Sequence, residues 1–144
     1  MPVKGQMAGS TFRFPIPDSE LDENENWHSP YFFLAFFKAR IALFEIVGIT
    51  QKELREAGFA IMIKVLGPLE FFKPLKRGDI AIICPALKKI GNSSLRFVYE
   101  VYKEGSDELH AKGETIQLLA WRGTGQLCVI PYWIREKLDV ILQP

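Results

Sequence analysis

The sequence predicts a single α+β domain in which a curved antiparallel sheet wraps around one long apolar helix. The segment Pro30 to Gly48, PYFFLAFFKARIALFEIVG, has helical length but only three charged residues, whereas a surface helix shows a polar face. After residue 58 the pattern becomes alternating or β-rich, with turn-forming clusters between the runs. A chain of 144 residues with 48% hydrophobic content can bury one real core. We therefore expect a meander of strands that encloses the helix, so that no face of it needs to be polar.

Composition argues against several classes of function. The net charge of +1 gives no basis for general affinity for nucleic acid. Within the helix, the longest uncharged stretch, Ser29 to Phe37, is far short of the roughly 20 residues that a membrane span needs. The first residues contain no apolar run typical of a secretory signal, which predicts a cytoplasmic protein.

The few cysteines and histidines predict neither a disulfide framework nor a metal site. Cys84 and Cys128 lie in separate apolar runs and are expected to be small buried residues. His28 and His110 are too far apart for metal-ligand spacing. We expect no metal and no cofactor.

The first elements lead into the long helix. A tail over residues 1–10 precedes a domain predicted over residues 11–144. Residues 11–17, TFRFPIP, are typical of a short strand at a sheet edge, because proline cannot donate to a central ladder. Ser29 is a good N-cap for the helix, and Pro30 occupies its first position, where the missing N–H costs nothing.

The remaining elements follow from capping and alternation. Thr50-Gln51-Lys52-Glu53 is a capping box that opens a short helix ending near Gly58. Leu95, Phe97, Tyr99 and Val101 share one face of a strand, opposite Arg96, Val98, Glu100 and Tyr102, and predict one buried strand face. The predicted strands are residues 59–65 and 69–72, interrupted by Gly67-Pro68, then 80–87, 95–103, 109–121 and 127–130, before a terminal helix from Pro131 to about Ile141.

Four motifs in order carry a resemblance to a known family. They are Asp18-Ser19-Glu20-Leu21-Asp22 through Gly48-Ile49, Glu70-Phe71-Phe72-Lys73-Pro74-Leu75-Lys76-Arg77-Gly78-Asp79, Ala111-Lys112-Gly113, and Cys128-Val129-Ile130-Pro131-Tyr132-Trp133-Ile134-Arg135. Over about residues 11–138 the chain resembles hotdog-fold acyl thioesterases of the 4-hydroxybenzoyl-CoA thioesterase-like family. It looks closest to the plant acyl-lipid thioesterase and methylketone synthase type, and it is also similar to enediyne polyketide thioesterases.

This resemblance implies a fold, a reaction and an assembly. It implies a hotdog domain that hydrolyses an acyl-CoA or acyl-carrier-protein thioester in fatty acid or polyketide metabolism, as a homodimer or homotetramer without a cofactor. Three positions depart from the family pattern: Glu25 replaces a loop glycine, Ser29 an asparagine and Ala42 a helix glutamate. Since glycine suits a positive φ, we expect the loop around Glu25 to follow a different path.

The candidate catalytic groups lie where the loop meets the helix. The resemblance implies that Asp22 is the general base or nucleophile; the alternative is a solvated loop aspartate. His28 would orient the substrate carbonyl or donate a proton to the leaving group, or would only pack or cap. The backbone amides at the helix start, represented by Ser29, Tyr31 and Phe32, are natural donors to an oxyanion.

Arg40 is a further catalytic candidate, because a buried guanidinium is costly without a partner. We expect it to pair with Asp22, Glu45 or another acid, or with the thioester region of the substrate. The candidate substrate-binding aromatics are Phe33, Phe36 and Phe72, which either line an acyl tunnel or fill the core. The candidate cations are Lys73, Lys76 and Arg77, together with Lys88 and Lys89 at a neighbouring turn. These cations either hold CoA phosphates or the acidic helix of a carrier protein, or are solvated surface charges.

Two alternative functions stay open at this point. A hotdog enoyl-thioester hydratase or dehydratase also uses an acid and a histidine near the helix start, as Asp22 and His28 would be, but its usual N-x-x-H motif is absent from the helix start. A non-catalytic acyl-binding or assembly protein is consistent with the replaced glycine and glutamate. A panel of acyl-CoA substrates distinguishes a hydrolase from a binding protein.

Overall fold

A five-stranded antiparallel sheet packs against one long helix in the computed structural model, which describes residues 10–143. The predicted tail over residues 1–10 therefore lies almost wholly outside the described residues. The elements are β1 (Phe12–Pro15), α1 (Pro30–Ile46), α2 (Gln51–Glu56), β2 (Phe59–Phe71), β3 (Ile80–Ile90), β4 (Ser94–Lys103), β5 (Leu109–Trp121) and α3 (Tyr132–Asp139). The strand order β1-β3-β4-β5-β2 places β1 and β2 at the two edges, and the predicted hotdog architecture is confirmed.

Alternation along the long strands places the core on one face of the sheet. Leu95, Phe97, Tyr99 and Val101 of β4 are all buried against the helix side, as their spacing predicts. β5 has the predicted bounds, and β2 runs through the expected break at Gly67-Pro68 as one strand with two register shifts. The predicted edge position of β1 and the capping box of α2 are also confirmed.

The predicted last strand, residues 127–130, is wrong. This segment forms only an isolated bridge from Leu127 to Ala120. Its amides are satisfied by loop and strand carbonyls instead: the Cys128 N–H donates to Leu119 at 3.1 Å, and the Ile130 N–H donates to Asn92 at 2.7 Å. An apolar run can thus be buried and hydrogen-bonded without pairing along a strand, which periodicity alone does not distinguish.

The sheet does not enclose α1 on all sides, contrary to expectation. Phe32, Phe36, Ala39 and Leu43 share the buried face, whereas a second stripe stays exposed within the described chain. That exposed stripe includes Leu34, Lys38, Glu45 and Ile46. The helix is apolar nearly all round, yet residues 10–143 cover only one side of it, so apolar surface is left for another contact.

The start of α1 differs from the prediction in one detail. Pro30 is at the first helical position as expected, but the side chain of Ser29 makes no capping hydrogen bond. Ser29 itself has helical dihedral angles (φ −52°, ψ −38°), whereas a capping residue is extended. The first turn therefore begins one residue earlier than the sequence predicts.

Both cysteines are free and buried, as predicted. Burial, with a smaller contribution from the nearby Glu100 carboxylate, raises the pKa of the Cys84 thiol to about 12. The thiolate is the nucleophilic form, so burial disfavours the reactive form of Cys84 at neutral pH. Within residues 10–143, no helix combines the length and the apolar character needed to cross a membrane.

A close approach between α1 and the sheet is made possible by Gly113 of β5. The ring of Phe36 stacks on Tyr99 with centroids 4.3 Å apart and an interplanar angle of 6°. A Cβ atom built on Gly113 would lie 2.4 Å from Cε2 of Phe36, closer than two carbon atoms approach. Glycine at this position lets the helix lie directly on the strand.

Gly113→Ala is therefore expected to lower the free energy of unfolding by about 1–3 kcal/mol through overpacking. Thermal denaturation of the variant measures this. Gly113→Ala combined with Phe36→Leu should lose less stability than the sum of the two single changes, because the shorter side chain removes the clash. Lys112→Ala on the same strand is the control. Additive losses in the double variant would contradict the proposed contact.

Candidate active site

The acid-rich loop that precedes α1 is folded around the carboxylate of Asp22. Its Oδ1 atom accepts hydrogen bonds from the backbone N–H groups of Asn24 at 2.8 Å and Asn26 at 3.0 Å. The Asp22 N–H donates to the Asn26 carbonyl at 2.8 Å, which closes the turn. Hydrogen bonds between an aspartate side chain and nearby backbone amides are typical of turns. Among residues 10–143, the other oxygen, Oδ2, has no hydrogen-bond partner and stays available for chemistry.

Glu25 adopts a left-handed conformation although glycine is absent, so the reason for expecting a different loop path does not apply. Glu25 has a φ of +63°, a conformation that costs a residue with a Cβ atom roughly 1–2 kcal/mol. Arg77 holds it there: its Nε donates to Oε1 of Glu25 at 3.0 Å, and its backbone N–H donates to the Glu25 carbonyl at 3.2 Å. The contacts from Arg77 stabilise a backbone that glycine would adopt without strain.

The helix start leaves one amide free of an internal acceptor. The Tyr31 N–H donates to the His28 carbonyl at 3.0 Å, and the Phe32 N–H donates to the Ser29 carbonyl at 3.1 Å. Two of the three predicted donors, Tyr31 and Phe32, are therefore committed to the first turn, because Ser29 is already helical. The Ser29 N–H has no acceptor in the described part of the chain, which makes it the amide that can reach a ligand.

An open cleft of about 370 Å³ lies between this loop, the start of α1 and the end of β2. Six residues that were candidates from the sequence line this cleft together: Asp22, His28, Ser29, Phe32, Phe72 and Lys73. Trp27 and Phe71, which sequence reasoning missed, contribute aromatic walls. The Phe32 ring contacts Trp27 at a centroid distance of 4.3 Å and meets the edge of Phe71 at 5.1 Å. The sequence contained a signal for both, because Trp27 directly precedes the candidate His28 and Phe71 directly precedes the candidate Phe72.

The floor of the cleft is apolar and its rim is polar. Trp27 is buried and anchored by a hydrogen bond from its Nε1 to Glu20 at 2.9 Å, whereas Phe71 and Phe72 are about half exposed. Lys73 forms an ion pair with Glu108 at the rim, and this contact lowers the pKa of the Glu108 carboxyl. A convergent set of polar groups on an aromatic floor is typical of a small-molecule site.

Several predicted substrate-binding residues lie outside the cleft. Phe36 is fully buried in the core and Phe33 packs against it. Lys76 and Arg77 border a separate depression beside Glu25, where Arg77 also forms an ion pair with Asp18 at 2.8 Å. Arg77 is thus neutralised by two carboxylates.

The predicted cationic cluster at two neighbouring turns is wrong in its geometry. Lys76 and Arg77 precede β3, whereas Lys88 and Lys89 lie near its far end. At ~3.3 Å per residue, this eleven-residue strand separates the two groups by about 30 Å. Residues that are near in sequence lie apart because the chain between them is fully extended.

Arg40 does not join the cleft, and the expected acid partner is missing. Arg40 is only 7% exposed, and within residues 10–143 it forms no ion pair and its Nε has no hydrogen-bond partner. The guanidinium lies against the rings of Phe37 and Phe44, at 5.8 and 5.7 Å from their centroids. Burial lowers the pKa of Arg40, and the neighbouring Tyr99 hydroxyl partly offsets that effect.

Comparison with known families and structures places the chain among thioesterase-like proteins. The sequence model of the family described as the Thioesterase-like superfamily matches residues 16–138. Protein TT1821 of Thermus thermophilus has a similar structure, with a TM-score of 0.82, 25% identity, and coverage of 91% of this chain and 98% of that chain. A search of curated proteins finds no significant match.

Two further structures of the same fold have names that refer to coenzyme A. Slr0204 of Synechocystis, a 1,4-dihydroxy-2-naphthoyl-CoA thioesterase, has a TM-score of 0.82 at 15% identity, over 93% of this chain and 98% of that chain. SAV2348 of Staphylococcus aureus, solved in complex with CoA, has a TM-score of 0.83 at 15% identity, over 93% of this chain and 85% of that chain.

The left-handed backbone at Glu25 generates a prediction on stability. Glu25→Gly and Glu25→Ala both remove the side-chain contact to Arg77 and keep the backbone one, but only glycine relieves the strain. The glycine variant should therefore unfold with a free energy about 1 kcal/mol higher than the alanine variant, measured by chemical denaturation. Equal stability of the two variants would mean that the backbone at this position carries no strain.

Proposed function

We propose that this chain, which belongs to the thioesterase-like superfamily, hydrolyses an acyl-CoA thioester in the cleft at the start of α1. The observation that carries the proposal is the shared cleft of Asp22, His28 and Ser29, whose floor is aromatic. The CoA thioesterase among the structures of the same fold supports a CoA ester as substrate. Within the superfamily, the motifs of residues 18–49 favour the plant acyl-lipid thioesterase and methylketone synthase branch.

The reaction needs a base, a water molecule and a stabilised oxyanion. The free Oδ2 of Asp22 takes a proton from water as the water oxygen bonds to the thioester carbonyl carbon. The carbonyl oxygen becomes an oxyanion that accepts a hydrogen bond from the Ser29 N–H at the positive end of the helix. The C–S bond then breaks, the carboxylic acid leaves, and the CoA sulfur takes the proton held by Asp22, either directly or relayed through His28, which regenerates the base.

The loop geometry suits this role for Asp22. Two backbone amides hold Oδ1 at 2.8 and 3.0 Å, so the carboxylate has a fixed orientation and exposes its second oxygen. A base that is preorganised in this way pays little entropy when the substrate arrives. Lys73 at the rim can meet a CoA phosphate, which would then replace Glu108 as its partner.

Asp22→Asn is expected to lower kcat/KM for acyl-CoA hydrolysis by roughly 10²-fold or more with the fold unchanged. The asparagine side-chain oxygen keeps both loop hydrogen bonds and removes the base. The measurement is thiol release from a panel of acyl-CoA esters, with circular dichroism as the check on folding.

Glu23→Gln and Glu25→Gln are matched controls, because they remove nearby loop carboxylates without touching Asp22. Near-normal turnover in Asp22→Asn, together with a loss in Glu25→Gln or His28→Ala, would remove Asp22 from its role. A wild-type protein that binds acyl-CoA but releases no thiol from it or from an acyl-carrier-protein ester would instead be an acyl-binding protein.

The edge strand β2 supports a second part of the proposal, assembly into a homodimer or a dimer of dimers. β2 lies at the end of the sheet, so one row of its backbone groups has no strand partner among the described residues. Met62, Ile63, Val65 and Leu66 of this strand are all exposed although they are apolar. Pairing of two β2 edges would satisfy the backbone and cover these side chains in a two-fold symmetric interface.

Light scattering at micromolar concentration should give at least twice the chain mass of 16.4 kDa. Val65→Lys places a charge in the proposed interface and should shift the protein toward monomer, since lysine blocks edge-to-edge pairing. Lys64→Ala is the control at the neighbouring position. A monomeric wild-type protein at this concentration would contradict the proposed assembly.

A further inference from the structure

A second cavity, unrelated to the cleft, lies beside the later half of α1. It has a volume of about 200 Å³ and is bounded by α1, α2 and the first residues of β2. Its apolar walls include Phe44, Leu54 and Phe59. Three arginines, Arg40, Arg55 and Arg122, also line it, and within the described part of the chain no acidic residue does. An apolar cavity with three guanidinium groups selects for a negatively charged ligand.

Arg40 is the group in this cavity that most needs a partner. Its side chain is more than nine-tenths buried, and in the described chain its Nε donates to nothing. Arginine stays protonated in proteins, so this is a buried positive charge whose neighbours are two aromatic rings and the Tyr99 hydroxyl. A buried cation without a counter-ion is unfavourable, and an anion that enters the cavity would relieve that cost.

The two other arginines are placed to guide such an anion inward. Arg55, in the last turn of α2, and Arg122, just after β5, are both exposed. Neither side chain forms an ion pair with an acid in residues 10–143. This contrasts with Arg77 and Lys73 near the cleft, whose charges are matched by carboxylates.

We propose that this cavity binds an organic carboxylate that carries a short alkyl chain or a single ring. The carboxylate meets Arg40 and the two outer arginines, and the apolar part packs on Phe44 and Leu54. The volume is suitable, because an apolar cavity of about 150 Å³ accommodates benzene. A planar guanidinium also matches a carboxylate with two parallel hydrogen bonds.

This site is distinct from the thioester cleft of the same chain. Arg40 lies ten residues after Pro30, which at 1.5 Å per residue is about 15 Å along the helix from its start. Of residues 10–143, none lines both cavities. Binding of a carboxylate here does not depend on the proposed hydrolysis, so each can fail without the other.

The test is isothermal titration of the wild-type protein with octanoate, octan-1-ol and inorganic phosphate. Octanoate should bind at least tenfold more tightly than either of the other two, because only octanoate has both an anionic group and an apolar chain. If octan-1-ol binds as tightly as octanoate, the site does not recognise an anion. If phosphate binds as tightly as octanoate, the apolar walls do not contribute to binding, and the proposal is overturned in either case. Absence of octanoate binding would overturn the site altogether.

Two variants locate the binding. Arg55→Gln combined with Arg122→Gln changes exposed residues, so the fold should hold, and octanoate affinity should fall at least tenfold. Lys73→Gln is the matched control, since it removes one cation from the cleft instead. Unchanged affinity in the double variant, or a loss in Lys73→Gln, would place octanoate elsewhere and overturn the proposal.

Arg40→Met tests the buried group directly. The apolar replacement has similar length, so the melting temperature without ligand should be equal or higher, while the preference for octanoate over octan-1-ol should disappear. A folded Arg40→Met protein that keeps the full preference would show that Arg40 does not hold the carboxylate.

Discussion

The contact of Phe36 with Tyr99 across Gly113 sets the position of α1, and both candidate sites depend on that position. Phe36 has no exposed surface and stacks flat on Tyr99, while Gly113 of the neighbouring strand removes the Cβ atom that would hold the helix away. A helix that lies this close to the strands has little freedom to rotate or slide. Its start is thereby held at the acid-rich loop, and its later half is held beside the arginine-lined cavity.

A network of buried polar side chains begins at Tyr99 of β4 and extends to β5. The Tyr99 hydroxyl and Thr115 are hydrogen-bonded at 2.8 Å, and Gln117 donates to the same Thr115 hydroxyl. Burial raises the pKa of the Tyr99 phenol, and Thr115 and Arg40 moderate the shift. In the described residues, Arg40 Nε and Gln117 Oε1 are buried without a partner. Buried polar groups are almost always satisfied, so two unpaired atoms beside one network are unusual in a core.

Regular elements were predictable from the sequence because their signals are local. The alternation of β4, the bounds of β5 and the capping box of α2 follow from residues within one element. Residues 127–130 have the same apolar character as a strand, but the neighbouring chain offers them scattered carbonyls instead of a ladder. The prediction that the sheet encloses all of α1 was wrong. Composition shows how apolar a helix is, but it does not show how much of the helix surface one sheet can contact.

The candidate site was predictable only in part, because its residues come from distant segments. Asp22, His28 and Phe32 lie close together in sequence, and they line one cleft as expected. Arg40 is on the same helix, yet the helix carries it about 15 Å away from Pro30, so proximity in sequence was misleading. Lys88 was separated from Lys76 by an extended strand in the same way.

The conformation of the acid-rich loop is determined largely by the turn before β3. The Trp27 N–H donates to the carbonyl of Leu75, itself a buried residue, at 2.7 Å. Asn26 forms a bridge with Lys76, and Arg77 fixes the backbone of Glu25. The two motifs that resemble the thioesterases at residues 18–49 and 70–79 are therefore one structural unit. Since that unit, rather than a glycine, holds the left-handed position, a glutamate is tolerated there and Asp22 keeps its place in the cleft.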